Sequence, residues 1–149
     1  LTMFFISHRG NLYGPEPENE NSIDYINKAL DKNFDVEIDL WFKEPKFFLG
    51  HDNPKNLVTI DFLKNKKFLI HAKNLECFYE LSNYDVNYFW HEEDEVIITS
   101  KGYFWNYPGT KLSAKSICVL PEKNNIKKVD CLGYCSDHIM EYYDRYNNI

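Results

Sequence analysis

The chain lacks a long apolar run and has no surplus of basic residues. Its 17 Lys and Arg are outnumbered by 23 Asp and Glu, which gives a formal net charge of −6. Nucleic acids and anionic membranes bind basic surfaces, so this charge argues against both as partners. Because 27% of the residues are charged and no apolar stretch approaches the length of a membrane span, we also expect no membrane insertion.

A cysteine spacing that would suit a zinc site is absent. The four cysteines lie at positions 77, 118, 131 and 135, with no pair of zinc-ribbon spacing. We also expect no secretory leader, because residues 4–7 already show a strand pattern and not a charged, apolar and small-residue signal. We therefore expect reduced, buried cysteines in a cytoplasmic protein, and we interpret Leu1 and Thr2 as residues ahead of a natural start at Met3.

What the chain does contain is enough apolar material for one folded core. Its 149 residues are 44% hydrophobic and include 3 Trp, 11 Tyr and 11 Phe, which excludes a disordered chain. We expect residues 1–149 to form a single domain. A complete (β/α)₈ barrel usually takes about 250 residues, so this length is short for that fold.

Strand-like and helix-like patterns alternate along the chain, as is typical of parallel α/β folds. Strands are predicted at 4–7, 34–41, 47–49, 68–73, 88–91, 117–120 and 132–135. The runs 96–99 and 103–107 flank Lys101-Gly102 and form either a hairpin or two separate strands. Helices are predicted at 23–30 after a Ser22 cap, at 60–64, after an Asn74 cap, and at 139–146.

Polar side chains cluster where the predicted strands end. Seven of them lie in or just after the second half of an apolar run: His8, Glu37, Asp39, His51, His71, Lys73 and His91. The carboxyl ends of parallel strands meet on one face of the sheet, and that face carries the functional site. We therefore expect these side chains to come together.

The residue types suggest metal and phosphate chemistry. Glu37 and Asp39 share one strand face and can bind one hard cation, although a solvated strand face is the commoner role of such a pair. His8 and His51 can act as general acid and base on a phosphodiester. Arg9 is one of only two arginines in a lysine-rich chain, and its planar guanidinium matches phosphate oxygens. Lys73 would add a second positive charge for the same anion.

Four short motifs resemble those of the glycerophosphodiester phosphodiesterase family, in the phosphatidylinositol-phospholipase-C-like superfamily. In order along the chain they are His8-Arg9-Gly10, Glu20-Asn21-Ser22, Glu37-Ile38-Asp39 and Gly50-His51-Asp52. Together they are a strong signal over the first third of the chain, whereas each one alone is weak. After that the likeness loosens, although Gly133 to Asp137 resembles a worn form of the family's last strand and its following aspartate.

The resemblance implies a role for each matching residue. His8 and His51 would be the acid–base pair, Arg9 would bind phosphate, and Lys73 falls on the family's strand-end lysine. Glu37 and Asp39 would hold a divalent cation, which we expect to be Mg²⁺ or Ca²⁺.

The third metal position departs from the family, because His71 stands where a glutamate is usual. If His71 is a ligand, Mn²⁺ or Zn²⁺ should be tolerated better. If it is not, we expect weak metal binding. Asn21, His91 and Trp105 are further candidates for contact with the substrate, although core packing is the commoner role for the aromatic run 103–107 that contains Trp105.

The sequence thus predicts a metal-dependent phosphodiesterase acting on a small glycerophosphodiester-like, polyol-phosphate or sugar-phosphate substrate. A catalytically weakened binding protein for a phosphorylated glycan or head group, and a lyase that forms a cyclic phosphate, remain alternatives. Homo-oligomer formation is left open. For the fold we expect a small, truncated or distorted TIM-type barrel whose helices are reduced between Asp94 and Lys128, with an open flavodoxin-like parallel sheet as the alternative.

Overall fold

The computed structural model describes residues 3–147, so Leu1 and Thr2, which were placed ahead of a natural start, lie outside the described residues. This part of the chain contains ten strands: β1 (Phe4–His8), β2 (Asp35–Lys43), β3 (Lys46–Leu49), β4 (Asn56–Val58), β5 (Phe68–Ala72), β6 (Asn87–Phe89), β7 (Val96–Ile98), β8 (Phe104–Asn106), β9 (Ser116–Val119) and β10 (Gly133–Ser136). The α-helices in the same residues are α1 (Ile23–Asp31), α2 (Ile60–Leu63), α3 (Leu75–Leu81) and α4 (Ile139–Tyr146).

The strands form one mixed, curled sheet. Its order is β6-β5-β2-β1-β10-β9-β8-β7, in which neighbours from β6 to β8 are parallel and β7 returns antiparallel on β8. The β3–β4 hairpin extends the far end of β2. The antiparallel β7–β8 pair confirms the hairpin, and β4 is a strand that the sequence analysis did not predict.

The two ends of the sheet approach each other without pairing as a ladder. The backbone N–H of Ser100, just after β7, donates to the carbonyl of Tyr88 in β6 at 2.9 Å. The Phe89 and Trp105 rings pack 5.0 Å apart across the same gap. Residues 3–147 therefore form a curled, incompletely closed sheet with few helices, not the eight full strand–helix units of a complete barrel.

Two apolar cores lie on opposite faces of this sheet. The outer core packs α1, α3 and α4 on side chains such as Val36, Ile38 and Leu40. The inner core, which fills the curl, contains Ile6, Leu69, Phe89, Trp105, Ile117, Val119, Leu120, Leu132 and Cys135. Because side chains alternate along a strand, the residue two positions after an inner-core residue points to the same concave side.

The expected loss of helices in the second half is confirmed. Between Asp94 and Lys128 the chain forms three strands and a short 3₁₀ turn, and no α-helix. Of the two expected caps, Asn74 accepts a hydrogen bond from the Cys77 backbone, whereas the Ser22 side chain donates to the Asn19 carbonyl and does not cap α1. No helix in the described part of the chain is long and apolar enough to cross a membrane.

The four cysteines are free thiols. Three of them are buried, and Cys131 is partly exposed.

Candidate functional site

A cleft of about 530 Å³ opens at the carboxyl ends of the parallel strands. It gathers most of the residues that the sequence analysis singled out: His8, Arg9, Glu37, His51, His71, Lys73, His91 and Trp105. Asp39 lies at its floor, fully buried and in contact with Arg9 and His71. Residues far apart in the sequence thus meet at one place, as the strand-end rule predicted.

Glu37, Asp39 and His71 form a cluster that could hold a metal ion. One ligand atom of each lies within 4.8 Å of the other two. Oε1 of Glu37 and Oδ1 of Asp39 are buried and have no hydrogen-bond partner. Buried carboxylate oxygens are costly to leave unpaired, and a shared cation would satisfy both. The residues therefore fit a divalent cation.

The pKa values of the two carboxyl groups of the cluster are shifted in opposite directions. Burial and the nearby Asp39 carboxylate raise the pKa of Glu37 to about 8. Burial also opposes ionisation of Asp39, but contact with His71 and the charge of Arg9 outweigh it and hold the pKa of Asp39 below its usual range. For His71 itself burial dominates and lowers the pKa, which favours the neutral imidazole.

Asn21 holds the Asp39 side of this cluster. Its Nδ2 donates to Oδ2 of Asp39 at 2.9 Å, and its Oδ1 accepts from the Asp39 backbone N–H at 3.0 Å. The backbone of Asn21 is left-handed (φ 62°), and its carbonyl accepts from Asn56. The family resemblance implies a supporting role for Asn21, and contact with the substrate was also expected. In the structure both polar atoms of its carboxamide are hydrogen-bonded to Asp39.

A tight turn after β1 brings Arg9 over the cluster. Arg9 is left-handed (φ 61°), and Gly10 follows at φ 97°, where an added Cβ would lie 2.6 Å from the Tyr25 ring. A non-glycine residue in this region costs about 1 kcal/mol. The turn is held by the Arg9 N–H donating to the Glu37 carbonyl at 2.9 Å.

The Arg9 guanidinium itself is bound on two sides. Its Nη1 donates to Glu20 at 3.3 Å, and its Nε lies 3.0 Å from Oδ2 of Asp39, an ion-pair distance without hydrogen-bond geometry. Its side chain is still 20% exposed at the cleft.

His8 is oriented by an acid from the other end of the chain. Its Nδ1 lies 2.7 Å from Oδ1 of Asp137, which also accepts from Asn11. A carboxylate can only accept, so His8 donates through Nδ1, and its Nε2 lies 3.8 Å from Oε1 of Glu37. Burial disfavours the charged ring, but the contacts with Asp137 and Glu37 raise the pKa of His8.

His51 reaches the cleft from the turn after β3. The turn needs Gly50, because a Cβ there would lie 2.0 Å from the Asn53 carbonyl oxygen. Trp41 braces the turn by donating from Nε1 to the Gly50 carbonyl at 2.7 Å. The His51 side chain is 45% exposed, and its Nδ1 lies 2.8 Å from Asp52.

Aromatic rings form the opposite wall, on β6 and β8. The His91 ring stacks on His71 at 4.8 Å, and its Nε2 is hydrogen-bonded to the Tyr107 hydroxyl. Burial, with the nearby His71 and Lys73, lowers the pKa of His91 to about 4. Trp105 lies beneath this wall and is almost completely buried.

Three polar residues complete this site: the sequence analysis noted Asp137 only as the resembling family's aspartate after the last strand, and it assigned no role at the site to Tyr107 or Glu122. Asp137 follows β10, Tyr107 follows β8, and Glu122 follows β9, where it accepts from the Ser136 hydroxyl and the Asp137 N–H at 2.8 and 3.1 Å. The same strand-end rule that found His8 and His71, applied beyond residue 91, would have found all three.

No family model, curated protein or solved structure matches the chain.

Proposed function

We propose that the protein is a metal-dependent phosphodiesterase whose active site is this cleft. The observation that carries the proposal is the position of His8. Its imidazole is held by Asp137 through Nδ1, and Nε2 faces the Glu37 carboxyl group of the candidate metal cluster. An oriented imidazole beside a cation site is the arrangement that general acid–base cleavage of a phosphodiester requires.

The residues of the cleft divide the proposed chemistry between them. Glu37, Asp39 and His71 would hold a divalent cation, which would neutralise charge on the phosphate oxygens. Arg9 and Lys73 would bind those oxygens electrostatically. Of His8, through Nε2, and His51, on another edge of the cleft, one would take the proton of the attacking hydroxyl, from water or from the substrate itself, as its oxygen bonds to phosphorus. The other would protonate the leaving alcohol oxygen as its bond to phosphorus breaks.

The size and lining of the cleft support a small substrate. A volume of about 530 Å³ lies within the range typical of small-molecule sites. The aromatic wall of His91 and Tyr107, with Trp105 buried beneath it, would suit a glycerol, polyol or sugar group on the phosphate. We therefore propose a small alcohol phosphodiester as the substrate class.

The test is hydrolysis of bis(p-nitrophenyl) phosphate and glycerophosphocholine with Mg²⁺ or Mn²⁺. We expect His8→Gln and Glu37→Gln each to lower kcat/KM at least about 100-fold, as losses of acid–base or metal groups do. Glu76→Gln, on the exposed surface of α3, is the matched control and should leave the rate unchanged.

Unchanged hydrolysis in both cleft variants would refute the proposal. Tight binding of a phosphodiester without turnover would identify a binding protein instead. Phosphorus NMR that shows a cyclic phosphate as the final product would identify a lyase.

A further inference from the structure

The third member of the metal cluster is a nitrogen donor in a fixed orientation. The His71 ring stacks on Phe89 of the neighbouring strand β6 and on His91 just after it, with centroids 4.8 Å apart and planes within 19° and 26° of parallel. Phe89 is nearly fully buried, so it cannot move aside easily. The stacking therefore sets the plane of the imidazole before any ligand binds.

In that orientation Nδ1 faces the two carboxyl groups. It lies 3.2 Å from Oδ1 of Asp39 and 3.8 Å from Oε2 of Glu37. Two atoms bound to one ion at about 2.0–2.2 Å, with an angle of about 90–110° between them, are about 2.9–3.6 Å apart. The first distance falls within that interval and the second lies just beyond it, so a small side-chain shift would bring all three atoms onto one ion.

The two oxygens of Asp39 have separate roles. Oδ2 is bound by Asn21 and faces Arg9, whereas Oδ1 is buried without a hydrogen bond and faces His71. The protein thus anchors the carboxylate through one oxygen and leaves the other for a cation that His71 can share.

An imidazole nitrogen among the ligands changes which ion the site prefers. Mg²⁺ and Ca²⁺ are hard ions that take oxygen ligands almost exclusively, whereas imidazole suits Zn²⁺ and its first-row neighbours. We propose that the Glu37–Asp39–His71 cluster selects a divalent first-row transition ion, with Zn²⁺ and Co²⁺ bound more tightly than Mg²⁺ and Ca²⁺. This proposal rests on the metal site of the proposed function and adds the identity of its ion.

The experiment is calorimetric titration of metal-free full-length protein with Zn²⁺, Co²⁺, Mg²⁺ and Ca²⁺ in turn. The visible absorption of bound Co²⁺ provides an independent readout of nitrogen ligation. We expect Zn²⁺ to bind at least about 100-fold more tightly than Mg²⁺, and His71→Glu to reduce that ratio at least 10-fold and change the Co²⁺ spectrum. His138→Gln, which removes a histidine outside the cleft lining, should change neither.

Each contrary outcome has a distinct meaning. If Mg²⁺ or Ca²⁺ binds as tightly as Zn²⁺, or if His71→Glu leaves the ratio unchanged, the selectivity is refuted while a metal-dependent phosphodiesterase stands. Zn²⁺ binding that survives Glu37→Gln lies elsewhere and also refutes it. A folded wild-type protein that binds none of the four ions refutes both this proposal and the metal part of the proposed function.

Discussion

Removal of the Asn21 side chain should destabilise the fold more than most single substitutions. Its carboxamide forms hydrogen bonds with two buried groups of Asp39, the side-chain carboxylate and the backbone N–H. Asn21→Ala removes the donor to Oδ2 of Asp39 and the acceptor of the Asp39 backbone N–H. A hydrogen bond to a charged group contributes about 1.5–3 kcal/mol, and a buried N–H left unsatisfied costs about 1–3 kcal/mol. Alanine must also adopt φ 62°, which costs about 1–2 kcal/mol.

These contributions overlap, and we expect Asn21→Ala to lower the free energy of unfolding by about 3–5 kcal/mol. Asn21→Gly should be less harmful than Asn21→Ala by about 1 kcal/mol, because glycine adopts the left-handed backbone without strain. Both values are measured by urea unfolding followed by circular dichroism, with the slope of the transition checked for two-state behaviour.

Asn33 is the matched control for the backbone contribution. It is also left-handed, at φ 67°, but it is exposed and its side chain has no described hydrogen bond. Asn33→Ala should therefore lower the free energy of unfolding by only about 1 kcal/mol. Asn33→Gly should avoid this loss, because glycine adopts the left-handed backbone without strain. The reasoning is refuted if Asn21→Ala costs less than 1 kcal/mol, or if alanine at position 21 is more stable than glycine.

Three further predictions concern other parts of the molecule. Asp137→Asn should lower phosphodiesterase kcat/KM about 10²–10⁴-fold with little change in KM, because His8 loses its orienting carboxylate; an equal rate in a steady-state assay would contradict this. Burial raises the pKa of Asp35 to about 6, so the folded state holds this proton more tightly and the contribution of Asp35 to stability falls as pH rises from about 4 to 6. Asp35→Asn should remove that contribution and raise the free energy of unfolding at pH 7 by at most about 3 kcal/mol, measured by urea titrations of both proteins at each pH. Gly50→Ala should lower the melting temperature well beyond Gly102→Ala, because a Cβ at Gly50 would strike a carbonyl 2.0 Å away whereas nothing lies within 4 Å of one at Gly102; equal losses would show that the close approach is unimportant.

Local structure was the most predictable part of the fold, because it depends on near neighbours in the chain. The α4 helix matches its predicted span of 139–146, and the alternation in β2 correctly placed Glu37 and Asp39 on one face. The strand β4 escaped prediction because it has three residues, of which only Val58 is buried. A segment this short shows no period in its sequence.

The sequence allowed us to predict which residues line the cleft, but only partly which side chains contact one another. The carboxyl ends of parallel strands lie together regardless of the conformations of the loops. This is why the residues at strand ends could be placed in one cleft: His8, Glu37, His71 and Lys73. The pairing of His8 with Asp137 joins residues 129 positions apart, and no local pattern encodes such a distance. The family resemblance implied that Asn21 supports the site, but its partner Asp39 lies 18 positions away and could not be predicted for the same reason.

The meeting of the two sheet ends at Tyr88 and Ser100 leaves β6 as the least constrained strand beside the cleft. His8, Glu37 and Asp39 lie on β1 and β2, each of which is hydrogen-bonded to a strand on both sides. On the opposite wall β8 is also paired on both sides, with β7 and β9, whereas β6 forms a ladder with β5 alone and meets the segment after β7 through contacts of Ser100 and Lys101. We therefore expect the proposed acid–base and metal groups to keep their spacing, and we expect hydrogen exchange to be fastest along the β6 side of the gap.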